Sequence, residues 1–141
     1  RLEVKNTGID IVEVARIRRA LKIHGRRFVD RILTAREADE IGLGGSEPLG
    51  DGNPDSVAAR IAPRIAARFA AKEAVAKAIG CGISGFSWRE IEILRREGEP
   101  PRVELSRRAL EAASKRKIGS VLVSMSHTRT YAVAQAVAQG E

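Results

Sequence analysis

An alanine-rich segment in the middle of the chain sets the strongest limit on its fold. The stretch RFAAKEAVAKAIGCG, from Arg68 to Gly82, has the composition of a helix that packs closely against its neighbours. Asp55 or Ser56 is suited to cap this helix, which is expected to end at Ile79. Pro63 either kinks the helix or marks a restart at its first turn. Such a helix must be covered by a sheet or by other helices.

The flanking segments alternate between strand-like and helical patterns. A strand is predicted from Val4 to Val12 and ends near Asp10, and a helix follows to His24. The other predicted elements are a short helix with a capping box at Thr34 and Glu37, a mobile loop over 42–54, strands over 90–94 and 102–105, a helix that is capped by Ser106 and ends near Gly119, and a hairpin with Val121, Val123 and Met125 before its turn and Tyr131, Val133 and Val137 after it. This order predicts an α+β fold in a single domain over 1–141, with the long helix packed on a small, mostly antiparallel sheet.

The composition limits where the protein can be located in the cell and which kinds of metal or disulfide site it can contain. The sequence has no apolar run that could cross a bilayer and no secretory signal pattern, so we expect a cytoplasmic protein with no membrane partner. Cys81 is the single cysteine and cannot form an internal disulfide. His24 and His127 are too few for a zinc cage, so any metal must be held by oxygen ligands.

The net charge of +7 is concentrated in one segment. Between Val14 and Arg36 there are eight basic residues and one acid, whereas the remainder of the chain is neutral. Such a patch favours an anionic partner, either nucleic acid or an acidic protein. The alternative is a solvated helix face without a partner.

Glu73 is unusual because it lies on the stripe of the long helix that should face inward. With Lys77 it could form an ion pair on a solvated surface, which is what the spacing alone favours. However, Ile65, Phe69 and Ala76 share its stripe, so the carboxylate points to the core or to a cleft beside it. A buried carboxylate needs a cation, a metal or a proton. With the bases around it, Glu73 therefore suggests a diphosphate site, where the acid binds Mg²⁺ and the bases neutralise phosphate oxygens.

A second oxygen ligand is available at Asp10. Its simpler interpretation is an N-cap for the helix that follows it. Magnesium, however, often takes only one or two protein carboxylates and fills its remaining positions with water and phosphate. Asp10 and Glu73 would be enough for such a site.

Five motifs of the sequence resemble one enzyme family. They are GIDIVEVARI (8–17), RFAAKEAVAKAIGCGI (68–83), the W..IEI pattern (88–93), GEPPRVEL (98–105) and SMSHTRTYAVAQAV (124–137). Their order and separations are similar to those of the holo-acyl-carrier-protein synthases, the short, single-lobe class of 4′-phosphopantetheinyl transferases. The likeness covers nearly the whole chain and is least typical over 42–64.

The resemblance implies a transfer reaction. Members of the family move the phosphopantetheine arm of coenzyme A to a serine of an apo acyl carrier protein and release adenosine 3′,5′-bisphosphate. By motif, Asp10 and Glu73 would bind Mg²⁺, and Lys77 would stabilise charge on the transferring phosphate. Phosphoryl transfer mainly requires positioning and charge neutralisation, which fits a metal and a lysine. The proton of the serine goes either to Glu73 or to a metal-bound water.

The resemblance also implies the contacts made with substrate and partner. Coenzyme A would be contacted by five residues: Arg68, Lys72, Gly80, Gly82 and His127. The acidic carrier protein would dock on the basic segment, at Arg16, Arg19, Lys22, Arg26 and Arg27. The histidine has an alternative role as a turn residue bonded to backbone, and Gly80 as a simple helix stop.

The resemblance also implies an assembly, because the chain has the length of the short class. Larger transferases of this superfamily place coenzyme A between two similar lobes, whereas this chain has one. The short class forms homotrimers with a site at each interface, so a trimer is expected here. The main rival is a small basic protein that binds nucleic acid, but the five aromatic residues show no stacking platform among the arginines. The sequence leaves open whether the carrier protein serves fatty acid, polyketide or peptide synthesis.

Overall fold

The computed structural model describes residues 1–44, 49, 56–80 and 85–141, and the chain alternates there between strands and helices. In chain order the elements are β1 (Glu3–Glu13), α1 (Val14–His24), α2 (Arg26–Ile32), α3 (Ala35–Glu40), α4 (Val57–Ala78), a 3-10 turn (Trp88–Glu90), β2 (Ile91–Leu94), β3 (Arg102–Leu105), α5 (Arg107–Lys115), β4 (Ile118–His127) and β5 (Tyr131–Gly140). The predicted α+β class is confirmed.

The larger sheet is antiparallel and has β5 at its centre. β1 pairs with one edge of β5 and β4 with the other, while β2 and β3 form a separate antiparallel hairpin. The long helix α4 crosses one face of the larger sheet and contacts all three of its strands. This arrangement confirms the predicted helix on a small antiparallel sheet that ends in a hairpin.

Small side chains allow α4 and the sheet to approach closely. Almost every alanine of α4 is buried, and the alanines of β5 alternate with exposed or half-buried residues. The buried alanines of this strand are Ala132, Ala134, Ala136 and Ala138. Larger side chains at Ile65, Phe69 and Ile79 complete the core, and burial of each contributes about 1.5–3 kcal/mol.

The helix starts follow local sequence signals in two cases. Thr34 and Glu37 form the predicted capping box at the start of α3. At the start of α4 the Ser56 hydroxyl accepts a hydrogen bond from the Ala59 amide at 3.1 Å, while Asp55, the other predicted cap, lies outside the described residues. Pro63 lies inside α4 without ending it. Most of the loop predicted over 42–54 also lies outside the described residues.

Ser106 occupies the N-cap position of α5 as predicted, but its hydroxyl makes no capping hydrogen bond. Instead, Glu90 reaches this helix from the 3-10 turn. Its Oε1 accepts hydrogen bonds from the Arg108 amide at 2.8 Å and the Ala109 amide at 3.3 Å. A carboxylate at a helix N-terminus also interacts favourably with the helix dipole. Spacing within the helix could not reveal a cap that comes from a distant residue.

The helix α2 was not predicted. It begins after Gly25, whose φ of +56° favours glycine and ends α1 as expected. Its short length gives too few turns for a clear hydrophobic period. None of the helices in the described part of the chain is long and apolar enough to span a membrane.

Candidate functional site

The helix α4 carries two neighbouring rows of functional side chains. One row comprises Phe69, Glu73 and Lys77, and the other comprises Arg64, Arg68 and Lys72. Residues four apart lie on the same face of a helix, so each row runs along one side of α4. The first row meets β1 through Lys77, and the second meets α3 through Lys72.

Asp10 lies inside β1 rather than at a junction between strand and helix, because the strand continues to Glu13. The N-cap position of α1 is Glu13, so Asp10 is not the cap of that helix. The Lys77 ammonium instead donates hydrogen bonds to Asp10 Oδ1 at 3.2 Å and to the Ile9 carbonyl at 2.8 Å. Asp10 and Lys77 are therefore brought together from distant parts of the sequence.

Glu73 lies beside this pair, half-buried. Partial burial raises the pKa of its carboxyl, and the negative charge of Asp10 raises it further, against the opposing charges of Lys77 and Arg16. Among the described residues Glu73 forms no ion pair, and Lys77 is engaged by Asp10. The simple surface pair between Glu73 and Lys77 is therefore not what the structure contains.

Two half-buried carboxylates that repel each other form a suitable site for a divalent cation. Asp10 and Glu73 supply hard oxygen ligands, and a bound cation would remove the repulsion that raises the pKa of Glu73. The described residues contain no group of three or more potential metal-ligating side chains. A cation held here would need water or substrate oxygens to complete its coordination. This kind of coordination is typical of Mg²⁺ rather than of zinc.

Arg16 extends the site toward α1. Its guanidinium lies 5.7 Å from the centre of the Phe69 ring, within the range of a cation–π contact. Phe69 in turn packs against Trp88 with ring centres 4.9 Å apart. The basic segment and the carboxylate pair are therefore adjacent, since Arg16 also acts on the charge of Glu73.

A cationic cavity lies on the other side of α4. It has a volume of about 680 Å³, and its lining includes the predicted contacts Arg68 and His127. Three further arginines line it, namely Arg64, Arg95 and Arg96. They were not predicted, because exposed arginines in a basic chain carry no distinguishing pattern. Asp10, Glu73 and Lys77 are absent from the described lining, so the carboxylate pair and the cavity occupy different places.

Arg68 is the most constrained of these cations. It is 7% exposed, and burial lowers the pKa of its guanidinium. One nitrogen, Nη2, lies 3.6 Å from Glu40 Oε1. Its Nε is buried and finds no hydrogen-bond acceptor among the described residues. A buried donor without a partner is costly, and the positive charge of Arg68 in the cavity lining favours an anionic ligand there.

Lys72 does not reach this cavity, which corrects the predicted contact with coenzyme A. Its side chain is fully buried and donates to Glu37 Oε1 at 2.7 Å, to the Ile91 carbonyl at 2.7 Å and to the Trp88 carbonyl at 3.0 Å. All three ammonium protons are thus used inside the protein. Removing one partner of a buried ion pair costs about 3–5 kcal/mol. The structure gives Lys72 a structural role.

The glycines after α4 are only partly described. Gly80 has a φ of +87°, a conformation that favours glycine at a helix end, and its carbonyl accepts a hydrogen bond from Arg116 Nη2 at 3.3 Å. The simple helix stop therefore accounts for Gly80. Gly82 lies outside the described residues.

The basic segment spans α1 and α2. Arg16, Arg19, Lys22 and Arg27 are exposed, as a docking surface requires. Arg26 differs from them, because its two terminal nitrogens both donate to the Leu43 carbonyl at 3.0 Å. Arg26 therefore braces the chain after α3 and is less available to a partner. A groove of about 390 Å³ adjoins the segment and is lined by His24, Arg27, Phe28 and Arg31.

Comparison with known proteins gives a consistent result over almost the whole chain. The sequence model described as the 4′-phosphopantetheinyl transferase superfamily matches residues 6–136. The holo-[acyl-carrier-protein] synthase of Alkaliphilus metalliredigens is 39% identical over 135 residues, which cover 96% of this chain and 98% of that protein.

Solved structures agree with the sequence comparison. The acyl carrier protein synthase of Plasmodium yoelii with ADP bound superposes with a TM-score of 0.85 at 29% identity, over 100% of this chain and 98% of that one. The holo-[acyl-carrier-protein] synthase of Helicobacter pylori in complex with coenzyme A gives a TM-score of 0.72 at 30% identity, over 94% of this chain and 98% of that one.

Proposed function

This chain belongs to the 4′-phosphopantetheinyl transferase superfamily, and from that membership we infer that it is a holo-[acyl-carrier-protein] synthase. It transfers the 4′-phosphopantetheine group of coenzyme A to a serine of an apo acyl carrier protein. A bond forms between the serine oxygen and the phosphorus, the diphosphate bond breaks, and adenosine 3′,5′-bisphosphate leaves. The observation that carries this proposal at the site is the pair of Asp10 and Glu73 next to Lys77, on the same helix as a separate cavity rich in arginine.

The residues around α4 have separate tasks in this proposal. Asp10 and Glu73 hold Mg²⁺, which supplies charge neutralisation to the diphosphate when it is bound. Lys77 is held near the carboxylates by the Ile9 carbonyl and can approach a transferring phosphate from the same side. Arg68 and His127 bind phosphate groups of coenzyme A, and their place in the lining of the cationic cavity supports an anionic ligand there. Arg64, Arg95 and Arg96 add positive charge to this cavity.

A homotrimer with sites at the subunit interfaces is supported by an exposed apolar face. The side of the larger sheet that faces away from α4 carries five large exposed residues: Ile9, Ile11, Leu122, Tyr131 and Val133. Cross-strand pairing places Ile11 next to Val133, so the apolar surface is continuous across two strands. Contiguous apolar surface of this kind marks an association site. Association would also let one copy supply the carboxylates and another the cationic cavity.

The acidic carrier protein docks on the exposed bases of α1 and α2 in this proposal. Arg16 connects this surface to Glu73, so a serine delivered here would arrive at the carboxylate pair.

The rival function in nucleic-acid binding gains no support from the aromatic rings. Four of the five aromatic side chains are buried or half-buried, namely Phe28, Phe69, Phe86 and Trp88. The cytoplasmic location expected from the sequence stays a prediction.

The direct test is mass spectrometry of an apo acyl carrier protein incubated with coenzyme A, Mg²⁺ and this protein. The carrier protein should gain one phosphopantetheine group, and a chelator should prevent the gain. Asp10→Asn and Glu73→Gln should abolish transfer without unfolding the protein, whereas Glu111→Gln, which changes an exposed acid on α5, should leave it intact. Near-normal transfer by both site variants would refute the metal assignment. No transfer by the unmodified protein to any apo carrier protein would refute the function.

A further inference from the structure

The short helix α3 holds α4 and β2 together through two carboxylates spaced one turn apart. Glu37 Oε1 accepts from Lys72 of α4 at 2.7 Å, and Glu37 Oε2 accepts from the Ile93 amide of β2 at 2.9 Å. Glu40 repeats the pattern at the edge of the cationic cavity. Its Oε1 lies 3.6 Å from Arg68 Nη2 and accepts from the Arg95 amide at 2.9 Å.

The two carboxylates form a ladder with matching spacings on all three elements. Lys72 and Arg68 are four residues apart on α4, and the two amides are two residues apart along β2 and its extension. Residues four apart in a helix and two apart in a strand lie on one face, so both rungs connect the same surfaces. Shifting β2 by one residue relative to α4 would break both rungs together.

The two rungs differ in burial, and that difference separates their tasks. Lys72 and Glu37 are fully buried, so the inner rung fixes where α3 and β2 lie on α4. The outer rung lines the cavity, where Glu40, Arg68 and Arg95 all contribute. The outer rung orients the Arg68 guanidinium through one nitrogen and leaves the buried Nε without a partner among the described residues.

We propose that Glu37, Glu40 and Lys72 are positioning residues for substrate binding, which act through Arg68 and through the chain at Ile93 and Arg95 to set the geometry of the arginine cavity. This inference rests on the proposed function, because it takes the phosphate groups of coenzyme A as the ligand of the cavity. The carboxylate pair lies between β1 and α4, on another side of α4, and does not depend on the ladder. Loss of the ladder should therefore weaken binding of coenzyme A and change the chemical step little.

The experiment compares binding and turnover for Glu37→Gln and Glu40→Gln. Glu40→Gln removes the charge of the outer rung but keeps an amide oxygen as acceptor and leaves the fully buried pair of Glu37 and Lys72 intact, so it is expected to fold. Isothermal titration calorimetry with coenzyme A should show a Kd raised about tenfold for Glu37→Gln and about fivefold for Glu40→Gln. The KM for coenzyme A should rise in parallel, while kcat at saturating coenzyme A stays within about threefold of the unmodified protein.

Val75→Ala is the matched control for lost stability, since Val75 is fully buried on α4 and is not part of the ladder. It should lower the Tm and leave the Kd for coenzyme A unchanged. Unchanged affinity in Glu37→Gln and Glu40→Gln, or tighter binding in Glu40→Gln because an acid has been removed, would overturn the positioning role. Failure of the unmodified protein to bind coenzyme A would instead refute the proposed function, so the two failures are distinct.

Discussion

The contact of Gly8 with α4 provides a test of how the site depends on close packing. A Cβ added at this position would lie 2.9 Å from the Ala78 amide nitrogen and 3.0 Å from the Ala74 carbonyl carbon, and closer still to the Ala74 carbonyl oxygen. All three atoms belong to the backbone, so no side chain can rotate away. Gly8→Ala therefore requires β1 and α4 to separate by on the order of 1 Å.

The separation would act directly on the carboxylate pair. Gly8 precedes Asp10 by two residues in β1, and Ala74 is the neighbour of Glu73 in α4. Misplacing reacting groups by about 1 Å can cost about 100-fold in rate. Overpacking in a well-packed interior typically costs about 1–3 kcal/mol of stability. We therefore expect Gly8→Ala to remain folded with a reduced Tm and to lose about 100-fold in phosphopantetheine transfer.

Two other glycines serve as controls for this variant. A Cβ at Gly140 would also meet backbone, at 2.8 Å from the Lys117 carbonyl carbon, but at the end of the sheet far from Asp10. A Cβ at Gly119 would meet nothing within 4 Å. Gly140→Ala should lose stability and keep its transfer rate per folded molecule, and Gly119→Ala should keep both. If Gly8→Ala transfers phosphopantetheine within threefold of the unmodified protein, close packing does not set the site geometry.

Three further predictions concern stability, docking and assembly. Burial opposes ionisation of Glu92, but hydrogen bonds from Arg36 and Thr34 outweigh it and hold the pKa of this carboxyl below its usual range. The contribution of Glu92 to stability is thus present above the usual pKa of about 4.3 and disappears as pH falls through the lowered folded-state value. The loss of Tm that Glu92→Gln causes at pH 7 should therefore shrink below pH 4. A loss of Tm that stays constant with pH would contradict this. Lys22→Glu should slow association with the acidic carrier protein about tenfold at low salt and less at high salt, as measured by stopped flow. The control Lys115→Glu on α5 should not show this effect. Equal slowing by Lys22→Glu and Lys115→Glu would argue against docking on α1. Ile11→Asp should convert a trimer to monomers in light scattering, and a surviving trimer would exclude this face as the interface.

Local patterns in the sequence were sufficient to predict most of the helices and strands. The alanine helix, the capping box at Thr34 and the final hairpin all follow from signals within a few residues of each other. Asp10 and Glu73 came from the family resemblance together with the inward stripe of α4. The structure brings them close enough for the charge of Asp10 to raise the pKa of Glu73.

The parts that sequence could not supply are long-range polar contacts. Lys72 looks like a phosphate ligand in sequence because it lies beside Glu73, but a partner 35 residues away, Glu37, makes it a buried structural cation. Arg26 resembles its basic neighbours until the Leu43 carbonyl takes both of its terminal nitrogens. Spacing shows which face a charge occupies but not which distant group reaches that face, so such roles require the tertiary structure.

The different roles of the α4 cations follow from the geometry of the helix. Residues spaced by four form parallel rows, and neighbouring rows are separated by about 100° around the axis. The row with Glu73 and Lys77 meets a strand that carries a carboxylate, so its lysine is paired while its acid is left half-buried beside like charge. The row with Arg68 and Lys72 meets α3, where acids compensate the buried cations. Among the described residues, the middle members of the two rows, Glu73 and Arg68, are incompletely paired, and these are the positions where a divalent cation and a phosphate would gain the most from binding.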